Sequence, residues 1–308
     1  MSPIKSVLIT GANAGLGREA ARQLAKVSTI EKIYLACRNE AKAQAAKAAL
    51  EAEAKREIFE IILMDVMDPA SVRHAISQMA APVDALVLNA GGVGGRSPNG
   101  MTAHGVTNIY AVNMLGHVVL VDEMLERQLI TSTVLYAGSE AARGIPKMGV
   151  TRPALKEASV DEFRAMADGR TFTEKSDPMD AYASVKLIGA LWMSSMARQH
   201  PHVRFVTMSP GGTTGTNGFD DMPFLKRLFF KHVGGFLMPL LGMMHDVEDG
   251  AKRYVDGILD PKFKSGVFYA SAGEGAVGKL VDQSTLFADL GNHSFQDNAN
   301  QAVHQLVS

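Results

Sequence analysis

Along the chain, short apolar runs alternate with stretches whose apolar residues recur every three or four positions. The runs are KSVLIT, KIYLAC, FEIILMD, VDALVLN, TSTVLYAG, VRFVTMS and SGVFYA. Each is short for a helix and rich in the β-branched and aliphatic residues that suit strands. Helical patterns lie between them, from Gly15, from Glu40, after Pro69, near 105–128, near 179–199 and near 247–259. The pattern predicts seven strands alternating with six helices. Near-continuous apolar runs mark strands buried on both faces, so the expected fold is α/β, one doubly wound domain with a seven-stranded parallel sheet and helices on both faces. No linker divides it, and residues 1–308 read as a single domain.

Two long irregular insertions interrupt the alternation, at about 140–178 and about 211–245. Both follow carboxyl ends of strands, the edge where ligands bind in open α/β sheets. Connections longer than about 15 residues are usually functional.

Composition narrows the picture. With 308 residues, 46% hydrophobic and 20% charged, the chain can build a core large enough for an enzyme. Its formal net charge is -1 and its basic residues are scattered, so no bulk attraction to nucleic acid is expected. Cys37 is the single cysteine, which excludes an intramolecular disulfide framework and a thiolate metal cluster. The histidines show no metal-ligand spacing, and no metal is expected. The amino-terminal MSPIKSVLIT lacks a leader pattern. The apolar stretch VGGFLMPLLGMM, broken by glycines and Pro239, is shorter than the roughly 20 residues of a spanning helix. A cytoplasmic location and no transmembrane segment are expected.

Directly after the first strand comes TGANAGLG, with Gly11, Gly15 and Gly17 leading into an amphipathic helix. That order lets backbone N–H groups approach a pyrophosphate at the helix N-terminus. An NAD binder would be expected to carry an acid at the end of the second strand. Here the residues are Cys37, Arg38 and Asn39, and Arg38 with Lys42 suits the 2′-phosphate of NADPH instead. Asp65, after the third strand, is placed to accept from the adenine amino group, and Asn89 ends the fourth strand against the glycine turn.

Tyr182 and Lys186 in DAYASVKLIGAL stand one helical turn apart on one face. Bringing a phenol from about 10 to neutrality takes about 4 kcal/mol, and an ammonium about 4 Å away supplies that order of energy at an effective dielectric of about 20. A single ammonium is therefore sufficient in magnitude if the site is shielded, while two ordinary residues on one helix face remain the alternative.

With TGANAGLG, NAG at 89–91, Asn113 in YAVNMLGH, Ser139 in LYAGSEAA, Tyr182 and Lys186, and SPGG at 209–212, the chain resembles the short-chain dehydrogenase/reductase family over nearly its whole length. The resemblance implies a Rossmann-like fold and a catalytic tetrad of Asn113, Ser139, Tyr182 and Lys186. Tyr182 would deliver a proton to the substrate oxygen as hydride arrives. Ser139 would hold that oxygen, Lys186 would lower the pKa of Tyr182 and hold the nicotinamide ribose, and Asn113 would anchor a water linking Lys186 to solvent. It further implies a cofactor lined by Gly11, Asn13, Gly15, Leu16, Gly17, Arg38, Lys42, Asp65, Val66, Asn89, Ala90, Gly91, Tyr182, Lys186, Pro210, Gly211, Thr213 and Thr214. Within the family the resemblance is to retinol dehydrogenase-like members and to light-dependent protochlorophyllide oxidoreductase, the latter through ACRN at 36–39, VNMLGH at 112–117, the long gap between Ser139 and Tyr182 and the stretch from 213 to 270. Two departures stand out: Gly212 where the latter enzyme has a cysteine, and Gly215 where many members place a threonine, with Thr214 or Thr216 as the substitute.

The expected activity is NADPH-dependent reduction of a lipophilic aldehyde, ketone or ring compound. Reduction of a pigment double bond and a non-catalytic NADP-binding sensor or scaffold are the alternatives. The segment MPFLKRLFFKHVGGFLMPLLGMM (222–244) carries apolar residues at helical spacing. It reads as a lid over an apolar substrate, as a dimer or packing face that would make a homo-oligomer, or as a peripheral membrane contact aided by Lys226, Arg227 and Lys231.

Overall fold

The computed structural model describes residues 3–214 and 244–307. Its strands form one sheet in the order β3-β2-β1-β4-β5-β6-β7-β8. They are β1 (Ser6–Thr10), β2 (Lys32–Cys37), β3 (Phe59–Leu63), β4 (Val83–Leu88), β5 (Ile130–Ala137), β6 (Arg204–Met208), β7 (Val267–Ser271) and β8 (Leu280–Asp282). The seven predicted runs all form strands and pair in parallel. The count of seven needs correction, because β8 turns back antiparallel on β7, with Ala270 opposite Val281. Three residues after a glycine-rich turn are too few to leave a periodic signal.

The helices are α1 (Gly15–Leu24), α2 (Glu40–Ala54), α3 (Pro69–Ser77), α4 (Gly116–Glu126), α5 (Val160–Ala167), α6 (Pro178–Gln199), α7 (Val247–Leu259) and α8 (His293–Gln305). Several begin where cap chemistry places them. Asn39 accepts from the Lys42 N–H, Asp68 from Ala70 with Pro69 following, Asp177 from Met179 with Pro178 following, and Asp246 from Asp249. Each such cap satisfies a donor that the first helical turn leaves free.

Both sheet faces are covered, as the apolar runs require. Leu8, Leu86, Val134 and Tyr136 point to one core, shared with α4, α6 and α8. Val7, Ile9, Leu35, Val87, Leu135 and Met208 point to the other, shared with α1, α2 and α7. No helix among the described residues is long and apolar enough to cross a membrane.

The insertion at 140–178 is more regular than expected. It contains two short 3-10 turns, at Glu140–Arg143 and Pro146–Met148, and the helix α5. The Glu162 carboxylate folds back to accept from the N–H groups of Lys156, Glu157 and Ala158, while Ser159 caps the helix. The polar helix α8 also escaped the pattern, because its buried face consists of Gln296, Ala299, Ala302 and Val303. Of the expected lid at 211–245, residues 215–243, with Gly215, Thr216 and nearly all of the 222–244 segment, lie outside the described residues.

Candidate active site

At the carboxyl end of β1 the chain turns at Gly11, whose φ is +68°, and enters α1 behind Ala14, which offers no side-chain cap. The first turn of α1 carries no acid, so no side chain there neutralises the positive end of the helix, which suits a phosphate. Gly17 must lack a side chain, since a Cβ there would lie 2.5 Å from Asn89 Nδ2 and 2.6 Å from the Gly11 carbonyl. Asn89 fastens the turn, its Nδ2 donating to the carbonyls of Thr10 (2.8 Å) and Gly11 (3.4 Å). The Thr10 hydroxyl accepts from the N–H groups of Asn89 and Ala90, each at 2.9 Å. Leu16 reaches toward Gly250 of α7, where Thr213 also packs. The glycine turn and the 213 region therefore meet across one glycine.

Arg38 and Lys42 are exposed beyond the end of β2. A groove of about 770 Å³ runs along β3 and α3, lined by residues 60–65 and by Ser71, His74 and Gln78, and includes Arg38 and Asn39 in its lining. Asp65 Oδ1 accepts from the Met67 N–H, which fixes the carboxylate in the groove wall, and the Val66 carbonyl accepts from Gly116 N. Cys37 lies beneath the glycine turn, with Ala12 and Asn13 N–H groups directed at its sulfur. Burial pushes its thiol up to about 11, so it is no nucleophile at neutral pH.

The four tetrad candidates converge at the carboxyl ends of β4 and β5. Asn113 is fully buried in a π-helical turn, Ala111–Leu115, just before α4. Its Nδ2 donates to the carbonyls of Gly92 and Ile109, both at 2.7 Å, and its Oδ1 accepts from Gly92 N. A Cβ on Gly91 would lie 2.6 Å from Asn113 Oδ1 and 3.7 Å from Lys186 Nζ, which places those two side chains at the same glycine. Ser139 follows β5, and its Oγ accepts from Ala141 N at 3.2 Å. That bond leaves the hydroxyl proton free, and the Ser139 hydroxyl lies near enough to Tyr182 to pull its phenol down. Lys186 Nζ donates to the Ala137 carbonyl at 2.8 Å.

The electrostatics differ from the expected acidification. Burial pushes the Tyr182 phenol up to about 12, against the pull of the Ser139 hydrogen bond and with a further push from the Glu140 charge. Burial pushes the Lys186 ammonium down to about 7. The ammonium lies over the Tyr182 ring, 5.5 Å from its centroid. It donates to Ala137 and lies over the ring, and the push from burial dominates the shift of the phenol.

Several side chains around the site carry no motif signal. His117 Nδ1 meets the Asn113 carbonyl and its Nε2 the Thr10 hydroxyl, each at 3.0 Å. Burial pushes it down to about 4, so it stays neutral. Glu140, only 2% exposed, accepts from Ser209 Oγ (2.5 Å) and Ser271 N (2.9 Å) and pairs with Arg253 at 3.6 Å. Ser209 Oγ in turn accepts from Gly211 N, and His245 Nε2 meets the Pro210 carbonyl at 2.7 Å. Thr213 bridges to His245, and Thr214 N donates to the His245 carbonyl. Pro210, Gly211, Thr213 and Thr214 are thus held from two sides. VNMLGH places His117 one helical turn after Asn113, the one available hint, whereas the partners of Glu140 come from β6, β7 and α7.

Residues 5–151 match the family model described as short chain dehydrogenase. Protochlorophyllide reductase A, chloroplastic, of Oryza sativa subsp. japonica is 30% identical over 287 residues, covering 86% of this chain and 71% of the relative. Retinol dehydrogenase 12 of Mus musculus is 34% identical over 128 residues, covering 41% of this chain and 39% of that one. Among solved structures, salutaridine reductase from Papaver somniferum superposes with a TM-score of 0.60 at 19% identity, over 86% of this chain and 99% of that one. NADPH-bound carbonyl reductase from chicken fatty liver gives 0.57 at 18%, over 91% and 96%. Fold, glycine turn and sequence likeness agree: the chain belongs to the short chain dehydrogenase family, oxidoreductases that bind NAD(H) or NADP(H).

Proposed function

We propose that the protein is an NADPH-dependent oxidoreductase of the carbonyl reductase/alcohol dehydrogenase type, reducing a lipophilic aldehyde, ketone or ring compound with Tyr182 as proton donor. The observation that carries this reading is the meeting of Ser139, Tyr182 and Lys186 at the strand ends that also hold the glycine turn. Bound NADPH would supply the hydride. Ser139 Oγ, already accepting from Ala141 N, offers its proton to the carbonyl oxygen and fixes its position. Tyr182 is a protonated phenol at neutral pH, because burial holds its proton on, and it gives that proton to the oxygen as negative charge develops there. Lys186 beside it opposes the resulting negative charge, and Asn113 holds the 91–92 backbone next to the ammonium. Arg38 and Lys42 take the 2′-phosphate, and Asp65 the adenine edge. Residues 1–308 act as one domain in the cytoplasm, and the Phe- and Met-rich composition of 222–244 suits an apolar substrate.

Tyr182→Phe tests the core of this reading. It is expected to lower kcat by about 10²–10⁴-fold while NADPH titration by fluorescence is unchanged. Wild-type turnover in the variant refutes the proton-donor role. A carbonyl panel in which small polar ketones outrun bulky apolar ones refutes the substrate class.

The relatives named protochlorophyllide reductase favour a second reading, reduction of a pigment double bond. Against it stands Gly212, where the light-dependent enzyme has a cysteine. Illumination with NADPH and protochlorophyllide decides: a shift in pigment absorbance supports the second reading, and an unchanged spectrum removes it.

A further inference from the structure

Lys186 is 4% exposed, and an ammonium has three protons to place. Donation to the Ala137 carbonyl uses one. On the sheet side, Nζ lies 4.9 Å from the centroid of the Tyr136 ring, within the range at which an aromatic face attracts a cation. Tyr136 is fully buried, yet its hydroxyl has no hydrogen-bond partner among the described residues. A buried tyrosine usually finds a partner for that group, so it is the ring and not the oxygen that the site uses. The helix makes room for it. Gly189 stands in the middle of α6, three residues after Lys186, and a Cβ there would lie 2.4 Å from Tyr136 Cε1 and 2.7 Å from its hydroxyl.

We propose that Tyr136 is a positioning residue whose ring face holds the Lys186 ammonium in place and in its charged form beside Tyr182. The inference rests on the reading of Lys186 as a working cation. The groups around the ammonium leave that task to the ring. From its own helix Tyr182 presents a protonated phenol. From α4, His117 is neutral and stands edge-on to Tyr136 at 6.4 Å. Asn113 is an uncharged amide. Tyr110 and Tyr254, which lie near Tyr136, are buried phenols held protonated. Glu140, on the Tyr182 side, is engaged with Ser209, Ser271 and Arg253.

The experiment replaces Tyr136 with Phe, with 4-fluoro-, 3,5-difluoro- and 3,4,5-trifluorophenylalanine, and with Leu. The titration of the Lys186 side chain is followed by ¹⁵N NMR of lysine-labelled protein without cofactor, the resonance being assigned by its loss in Lys186→Met. Fluorine drains the ring face at nearly constant volume, so a packing role would not respond to the series. The expected result is a Tyr136→Phe midpoint equal to wild type, then a stepwise fall with fluorination, reaching about one pH unit for the trifluoro variant. Tyr136→Leu should shift at least as far. A midpoint that ignores fluorination overturns the proposal, even if Tyr136→Leu fails to fold. Turnover by Lys186→Met separates the two readings: wild-type kcat there refutes the cationic role of Lys186, whereas an inactive Lys186→Met with a flat fluorine series refutes Tyr136 alone.

Discussion

In the proposed function Gly17 and Arg38 serve the cofactor through opposite means, one by lacking a side chain and the other by extending one. A methyl at Gly17 would meet the Gly11 carbonyl at 2.6 Å, and backbone cannot yield as a flexible side chain does. Gly17→Ala is therefore expected to break the Asn89 clasp on Thr10 and Gly11 and to weaken both NADPH and NADH binding, which fluorescence titration would read as a parallel loss. Arg38→Ala leaves the turn intact. If Arg38 holds the 2′-phosphate through charge-assisted bonds of about 1.5–3 kcal/mol, the NADPH Kd rises by about 10–100-fold while that of NADH stays within about twofold. Equal effects on the two cofactors would remove Arg38 from the phosphate site. At this scale the sequence was most informative about the glycines, whose requirements are local. It was silent on Tyr136 and Glu140, whose partners come from residues 50 to 131 positions away.

At the scale of elements, every periodic apolar run became a strand and every predicted helix formed, because strands buried on both faces and capped amphipathic helices announce themselves in sequence. The elements that escaped notice were those whose burial is small or polar: three-residue β8, alanine-faced α8 and eight-residue α5. The start of α5 depends on Glu162. Burial pushes its carboxyl up, but the N–H groups of Lys156, Glu157 and Ala158 outweigh this and hold it below the ordinary 4.5. A depressed carboxylate contributes stability above its unfolded value and loses it as pH falls through the folded one. Glu162→Gln should therefore be less stable than wild type at pH 7, by about 1–3 kcal/mol if the donors lose their acceptor. The gap should close below about pH 4 as the wild-type carboxylate protonates. Urea denaturation at pH 7 and pH 3.5 checks the sign, and a gap that widens in acid contradicts it.

For the whole molecule, the carboxyl edge of the sheet is tied together by one buried anion. Glu140 comes from the end of β5, Ser209 from the end of β6, Ser271 from β7 and Arg253 from α7. Arg143 extends the set, with its Nη2 on the Ser271 carbonyl at 3.0 Å and its Nε on Gln283 beyond β8 at 2.5 Å. The same carboxylate reaches the cofactor side through Ser209 Oγ and Gly211 N, and it flanks Ser139, so strand ends and site share one support. A buried ion pair of this kind adds little stability over an apolar replacement, but removing one partner leaves the other charge unpaired at about 3–5 kcal/mol. Arg253 is already held below its ordinary value by burial, with Glu140 opposing that shift. Glu140→Ala and Arg253→Ala are each expected to cost about that much in urea denaturation. The double change Glu140→Leu with Arg253→Met should cost clearly less than the sum, because neither charge is then stranded. If stability alone were involved, the repacked double variant would also regain cofactor affinity. The bond from Ser209 to Glu140 is lost in it, however, so the Pro210–Gly211 turn is freed, and NADPH binding should stay weakened while the melting temperature recovers. Recovery of both together would mean that the network supports the fold without setting the turn.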